Sequence, residues 1–348
     1  MRSLVRSVCF AGGVGVAAAL TARTLLRQAR HFSYHGKSVL ITGASRGLGL
    51  VLARQLVDAG ARVAICARHE QELEVAVQEL RAQGGDVLSM SCDVRDPEQV
   101  RVMVEGVLAQ WGTLDVLINN AGVIEVGPLE TMTVEDFQRA MDTHFWGALY
   151  TVLAVLPTMR QRGWGRIVNI ASLGGKQAVP HMLPYTASKF ALVGLSHGLR
   201  TELARDGILV TTVCPGLMRT GSPRNATFKG QHRHEYAWFS ISDALPLLSV
   251  NVNKAAQQIL RACQRGDAEA IISVPAKAAV TFQAIAPGLM IELLSVVNRL
   301  LPAVGGIGTH SARGYESTSS LSPSLLTRLG DQAAAQNNEI TSTGRLPS

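Results

Sequence analysis

The stretch SVLITGASRGLG, residues 38–49, decides how the rest of the chain is read. An apolar run of Val39, Leu40 and Ile41 passes without a linker into Gly43, Gly47 and Gly49, and the amphipathic LVLARQLVDAG follows. Glycine at these points permits a tight strand-to-helix turn and lets a pyrophosphate lie against backbone N–H groups at a helix start. Gly43, Ser45, Arg46, Gly47, Leu48 and Gly49 are therefore the candidate phosphate-cradling residues.

Outward from this turn the same rhythm repeats. Strand-like runs lie at 62–67 (RVAICA), 86–91 (DVLSMS), 115–119 (DVLIN), 166–171 (RIVNIA), 208–214 (ILVTTVC) and 270–274 (AIISV). Helical patterns at 70–82, 97–111, 134–162 and 184–205 alternate with them. Continuous apolar strands separated by helices call for a parallel sheet covered on both faces. The expectation is a doubly wound, Rossmann-like α/β domain, single, with extensions at both ends and ligands at the carboxyl ends of its strands.

The 348 residues are 47% apolar and 17% charged, ample for a buried core. The net charge of +7 does not imply a nucleic-acid partner. Residues 1–57 hold eight Lys/Arg and no acid, which leaves 25 basic against 26 acidic residues in the remainder. The surplus is thus a basic N-terminus, not a binding face. Five cysteines (Cys9, Cys66, Cys92, Cys214, Cys263) lack CxxC or Cys/His spacing and read as buried thiols of a reducing compartment, not metal ligands.

Within residues 1–35, the uncharged run 7–22 is bracketed by Arg2, Arg6, Arg23, Arg27 and Arg30. It falls short of the ~20 apolar residues that span a bilayer. It reads as a short anchor, a signal-like region, an organelle presequence or a tail packed on the domain; as an anchor or a packed tail it would leave the chain in the cytoplasm or on the cytoplasmic face of a membrane, the location expected here. Residues 217–250 form a long insertion of mixed basic, aromatic and apolar character. The segment 276–304 is strongly apolar from 278, and 305–348 turns to Ser, Thr, Gly and Asn, a composition expected to be disordered.

A coenzyme choice follows from the second strand. NAD enzymes place an acid about 20 residues after the glycines, on the ribose hydroxyls. Here that position holds Cys66 or Ala67, while Arg46 and Arg68 offer guanidinium groups suited to a 2′-phosphate. The expected cofactor is NADP(H).

LPYTASKFAL, residues 183–192, sets Tyr185 four positions before Lys189 with small residues between. A phenol with a pKa near 10 exchanges protons poorly at neutral pH, and an ammonium one turn away favours the phenolate. Tyr185 is thus the candidate general acid/base, with Lys189 tuning it. Ser172 closes the strand RIVNIA at the ligand rim, where its hydroxyl can hold a carbonyl oxygen.

Together, TGASRGLG (42–49), NNAG (119–122), Ser172, YTASK (185–189) and CPG (214–216) resemble the short-chain dehydrogenase/reductase family in its classical, NADP-preferring type. The resemblance covers residues 36–275. It implies that Asp93 and Val94 flank the adenine and that Asn119 contacts the adenosine half. Lys189 would bond the nicotinamide ribose, and Pro215, Gly216, Met218 and Thr220 would cradle the nicotinamide and pyrophosphate. It also implies a homodimer or homotetramer built through the helices at 134–162 and 184–205, and a substrate loop at 217–250 in which Trp238 and Phe239 line or close the pocket or else pack in the core.

One departure concerns MDTHFWG, where the family places asparagine in a water-linked relay to the lysine; this chain has His144, a candidate shuttle or a packed ring. His181, His232 and His234 lack carboxylate or cysteine partners at ligand spacing, so no metal is expected. The reading is an NADP(H)-dependent oxidoreductase that interconverts a secondary alcohol and a carbonyl on a small hydrophobic, lipid-like substrate reached from a membrane surface. A nucleotide-binding scaffold or sensor with impaired turnover is the alternative, and an epimerase or dehydratase on the same fold a third.

Overall fold

The computed structural model describes residues 21–340. Cys9 and nearly all of the apolar N-terminal run lie outside the described residues.

Seven strands form one parallel sheet in the order β7-β6-β5-β4-β1-β2-β3. They are β1 (Ser38–Thr42), β2 (Arg62–Ala67), β3 (Val87–Ser91), β4 (Val116–Asn119), β5 (Gly165–Ile170), β6 (Ile208–Pro215) and β7 (Glu269–Ile272). The central β1 is buried along its whole length, with Val39 opposite Val63 on one side and Val116 on the other. Such burial on both faces is why these strands carry unbroken apolar runs.

Successive side chains point to opposite faces, and each face has its own core. Val39, Ile41, Val63 and Ile65 pack with α1 (Gly47–Asp58), α2 (Glu70–Ala82) and α8 (Val252–Gln264). Leu40, Ala64 and Leu117 pack with α3 (Pro97–Trp111) and α5 (Gly147–Arg162). Local signals set the helix ends: Asp96 accepts N–H bonds from Glu98 and Gln99 at the start of α3, and Gly112 ends it with φ 71°. Helix α4 (Val134–Met141) precedes α5, and α6 (Leu183–Leu203) runs along the sheet with Pro184 in its first turn.

The insertion at 217–250 is structured. Leu217–Arg219 pairs in parallel with Ser249–Asn251, Thr227–Phe228 pairs with Glu125–Val126, and α7 (His232–Ala244) covers the carboxyl end of the sheet.

The region after β7 departs from a single apolar segment. It breaks at Ala286 into α9 (Val274–Ile285) and α10 (Pro287–Asn298), where Ile285, Leu289, Ile291, Leu293 and Val296 are exposed. Among the described residues no helix is long and apolar enough to cross a membrane.

The disorder expected beyond Gly305 is not what the structure gives for residues 305–340. Ala312–Arg313 pairs antiparallel with Thr227–Phe228, and α11 (Arg328–Gln336) packs on α7. Composition misleads here because the polar groups find partners within the fold. Ser317, Thr327, Asn337 and Glu339 are buried and hydrogen-bonded.

Candidate active site

The glycine turn is held from the next loop. Thr42 Oγ1 accepts the backbone N–H groups of Asn120 (3.0 Å) and Ala121 (3.1 Å). Asn120 Nδ2 in turn donates to the carbonyls of Thr42 (3.1 Å) and Gly43 (2.8 Å). Gly43 has φ 65°, and a Cβ there would meet the Ala121 backbone at 2.7 Å. A Cβ on Gly49 would stand 2.4 Å from the Gly43 carbonyl oxygen. Only glycine lets these segments approach so closely. The turn thus presents backbone donors at the N-terminus of α1, and this cradle fits a dinucleotide phosphate.

The arginines are placed differently from each other. Arg46 Nη1 donates to Glu72 at 2.8 and 3.0 Å, and Ser45 Oγ donates to the same buried carboxylate at 3.2 Å. The sequence reading treated Arg46 as poised for a ligand, whereas here Glu72 engages it. Arg68 stands exposed just past β2. Desolvation and the like charges of Arg95, Arg313 and Arg46 lower its pKa against the pull of Asp93, so positive charge is concentrated there. Asp93 is bound by Arg95 at 2.5 Å.

Asn119 ties elements together at the end of β4. Its side chain is buried, donating to Asn169 Oδ1 (2.9 Å) and accepting from Thr151 Oγ1 (2.6 Å). It joins β4, β5 and α5, leaving its neighbour Asn120 to hold the turn. Val94, Asn119 and His144 share the lining of a cavity of about 10 Å³, enough for a single water.

Across the cleft, Gly216 N–H bonds the Ile272 carbonyl (3.1 Å), and Met218 N–H donates to the buried Asp243 at 3.2 Å. Burial pushes Asp243 up to about 8. Thr220 Oγ1 accepts from Ser222 N–H (3.1 Å), and Pro215 ends β6.

Ser172, Tyr185 and Lys189 come together at the end of β5. Lys189 Nζ donates to the Ile170 carbonyl (2.8 Å) and sits 5.7 Å from the Tyr185 ring centre. Ser172 Oγ accepts the Gly174 N–H at 3.0 Å. A methyl on Gly174 would lie 3.1 Å from a Tyr185 ring carbon and 3.5 Å from Ser172 Oγ, so the serine and the phenol flank one small gap.

The electrostatics differ from the simple expectation that Lys189 acidifies the phenol. Burial pushes Tyr185 up, although its hydrogen bond with Ser172 opposes this. Burial also pushes Lys189 down to about 7. Desolvation disfavours both charged forms, and it is the largest influence on each.

His144 is not placed as a shuttle. It is buried, and its Nε2 accepts the Val123 N–H at 3.1 Å. Burial and then the charge of Lys189 hold it well below the usual imidazole range, so it is neutral. Nδ1 must then carry the proton and donate to Ser188 Oγ (2.7 Å), which donates to the Tyr185 carbonyl at 2.9 Å. Both nitrogens are committed, and the ring meets Tyr185 edge-on at 5.4 Å. The ring therefore positions the turn that carries Tyr185.

Above the phenol, Val126, Val179, Met182, Phe228, Tyr236, Trp238 and Phe239 form an apolar cluster with the Tyr185 ring. Trp238 Nε1 donates to Glu235 (2.6 Å), whose other oxygen meets His181 Nδ1 at 2.7 Å. His232 and His234 bond Ser317 and Gln231. Among the described residues no group of three His, Cys, Asp or Glu is placed to hold a metal ion. Asn120, Glu72 and the link that Glu235 makes between His181 and Trp238 escaped the sequence reading. The second asparagine of NNAG was the only available signal among them.

The chain is similar to known proteins in sequence and in fold. Residues 37–229 match the family model described as short chain dehydrogenase. A protein of Streptomyces coelicolor, by name a ketoacyl reductase, is 38% identical over 248 residues, covering 71% of this chain and 93% of its own. A dehydrogenase/reductase SDR family protein 7-like of Anopheles gambiae is 34% identical over 270 residues, covering 76% and 83%. Among solved structures, a variant actinorhodin polyketide ketoreductase with NADPH superposes with a TM-score of 0.62 at 34% identity, covering 68% and 95%.

Proposed function

The chain belongs to the short-chain dehydrogenase/reductase family, and from that premise we propose that it is an NADPH-dependent reductase of a carbonyl on an apolar, acyl-like substrate. The observation that carries this reading is Ser172 and Tyr185 flanking one gap, with Lys189 behind them and an apolar wall above. A reduced nicotinamide, when bound, supplies the hydride. Ser172 Oγ then holds the carbonyl oxygen, and the Tyr185 hydroxyl gives it a proton as negative charge develops. A charged Lys189 lowers the cost of the phenolate left behind.

The choice of NADP(H) is supported by the cations at Arg46 and Arg68 and by Cys66 and Ala67 where an acid would serve NAD. Gly43, Gly47, Leu48 and Gly49 would hold the pyrophosphate, Asp93 and Val94 the adenine side, and Pro215, Gly216, Met218 and Thr220 the nicotinamide half. The apolar substrate is supported by the cluster around Trp238 and Phe239 and by the relatives named as ketoreductases. Exposed Trp146, Leu153, Leu183 and Phe190 favour a homo-oligomer built through α5 and α6, and the bare faces of α9 and α10 favour contact with a membrane surface.

The test is NADPH oxidation with a panel of apolar ketones and β-ketoacyl thioesters. Alcohol and NADP⁺ formed in equal amounts are expected. Coenzyme binding without turnover on any of them would favour a sensor, and product without NADP⁺ release would favour an isomerase or dehydratase.

A further inference from the structure

The last described residues of the chain lie across the cleft between the glycine turn and the 220–225 loop. Helix α11 brings them there: Ala334 packs so tightly on Gly221 that a methyl on this glycine would come within 2.4 Å of it. Arg54 donates to the Gln336 carbonyl at 2.9 Å and to Asn337 Oδ1 at 3.2 Å. From that anchor the Asn337 carbonyl accepts the Gly47 N–H at 2.8 Å, while its Nδ2 donates to the Thr220 carbonyl at 3.4 Å. Asn338 Nδ2 donates to the Ser45 carbonyl at 2.9 Å. Glu339, buried, points its carboxylate at Arg46 Nε (3.4 Å), accepts a bond from Asn225 Nδ2, and lies 2.6 Å from where a Cβ on Gly47 would be.

These contacts use the donors a dinucleotide needs. The Gly47 N–H faces a carbonyl, and the Arg46 guanidinium stands between the carboxylates of Glu72 and Glu339. A phosphate brought to Arg46 meets like charge at contact distance in a partly desolvated site. We propose that Glu339 determines coenzyme affinity by competing with the 2′-phosphate of NADP(H) for Arg46, and that the 337–340 strap lifts from Ser45–Gly47 when the coenzyme seats. This rests on the NADP(H) reading above. The strap makes tight NADP(H) binding conditional on its own release, and it penalises the 2′-phosphate more than the ribose hydroxyl of NAD(H).

The test uses the full chain. NADPH and NADH are titrated by fluorescence into the wild type and Glu339→Gln, which keeps the side-chain shape and can still accept from Asn225. NADPH is expected to bind about tenfold tighter to the variant, the effect of removing one nearby like charge, with NADH changed less than twofold. No change, weaker NADPH binding, or equal tightening of both coenzymes would overturn the proposal. Hydrogen exchange of the wild type with NADPH provides a readout independent of any variant. Faster exchange in 333–340 is expected, whereas slower exchange would make the strap a clamp on bound coenzyme and overturn the competition. A wild type that prefers NADH contradicts the coenzyme reading alone, since the Glu339→Gln shift is measured separately.

Discussion

The rate of the proposed reduction is expected to fall as pH rises through neutrality, because of Lys189. Its ammonium is buried, donates to the Ile170 carbonyl and is pushed down to about 7. Tyr185, raised by burial, keeps its proton throughout the physiological range. Reduction needs the phenol protonated and the ammonium charged, so the limiting ionisation is that of the lysine. At pH 9, two units above that value, about one molecule in a hundred carries the charge. The kcat/KM for NADPH, which reports the free enzyme, is therefore expected to be level below pH 6 and to fall about a hundredfold by pH 9. The assay is initial-rate NADPH oxidation from pH 5.5 to 9.5 with a saturating ketone. Lys189→Met should run slower and lose the alkaline limb. A level profile to pH 9, or a limb that survives Lys189→Met, would refute the reasoning.

The same burial has consequences for stability. Because the folded pKa of Lys189 lies below its ordinary 10.5, the folded state carries its full penalty below pH 7 and recovers between 7 and 10.5; Lys189→Met should raise the unfolding midpoint most at low pH. Asp243, raised to about 8, has the opposite sign: its contribution is complete near pH 4 and is lost as pH climbs through 8, so Asp243→Asn should remove that decline in thermal scans between pH 5 and 9. Gly49→Ala would put a methyl 2.4 Å from the Gly43 carbonyl oxygen, at a cost of about 1–3 kcal/mol in denaturant unfolding and with loss of coenzyme binding. His144→Ala leaves the Val123 N–H unpartnered, which should cost about 1–3 kcal/mol while leaving the alkaline limb in place.

The sheet was legible because its inner strands had to be apolar on both faces, and the glycine turn because its contacts exclude any Cβ. Tyr185, Lys189 and Ser172 were legible for the same local reason: a helical turn and a strand end fix where they stand. What could not be read was pairing at long range. Glu72 is 26 residues from Arg46, and Glu339 reaches Ser45–Gly47 from the far end of the chain. The fates of His144 and of the 305–340 segment were hidden similarly, because polar residues look solvated until their partners are known. Burial also raises the phenol's pKa, an effect that spacing alone does not contain.

The most direct measurement is a single-turnover reaction of Tyr185→Phe with NADPH and the best ketone, alongside coenzyme titration of the same variant. Unchanged NADPH affinity with the hydride step slowed at least a thousandfold is expected, at the upper part of the range for loss of a general acid. A rate within tenfold of the wild type would contradict the assignment of the proton to this phenol.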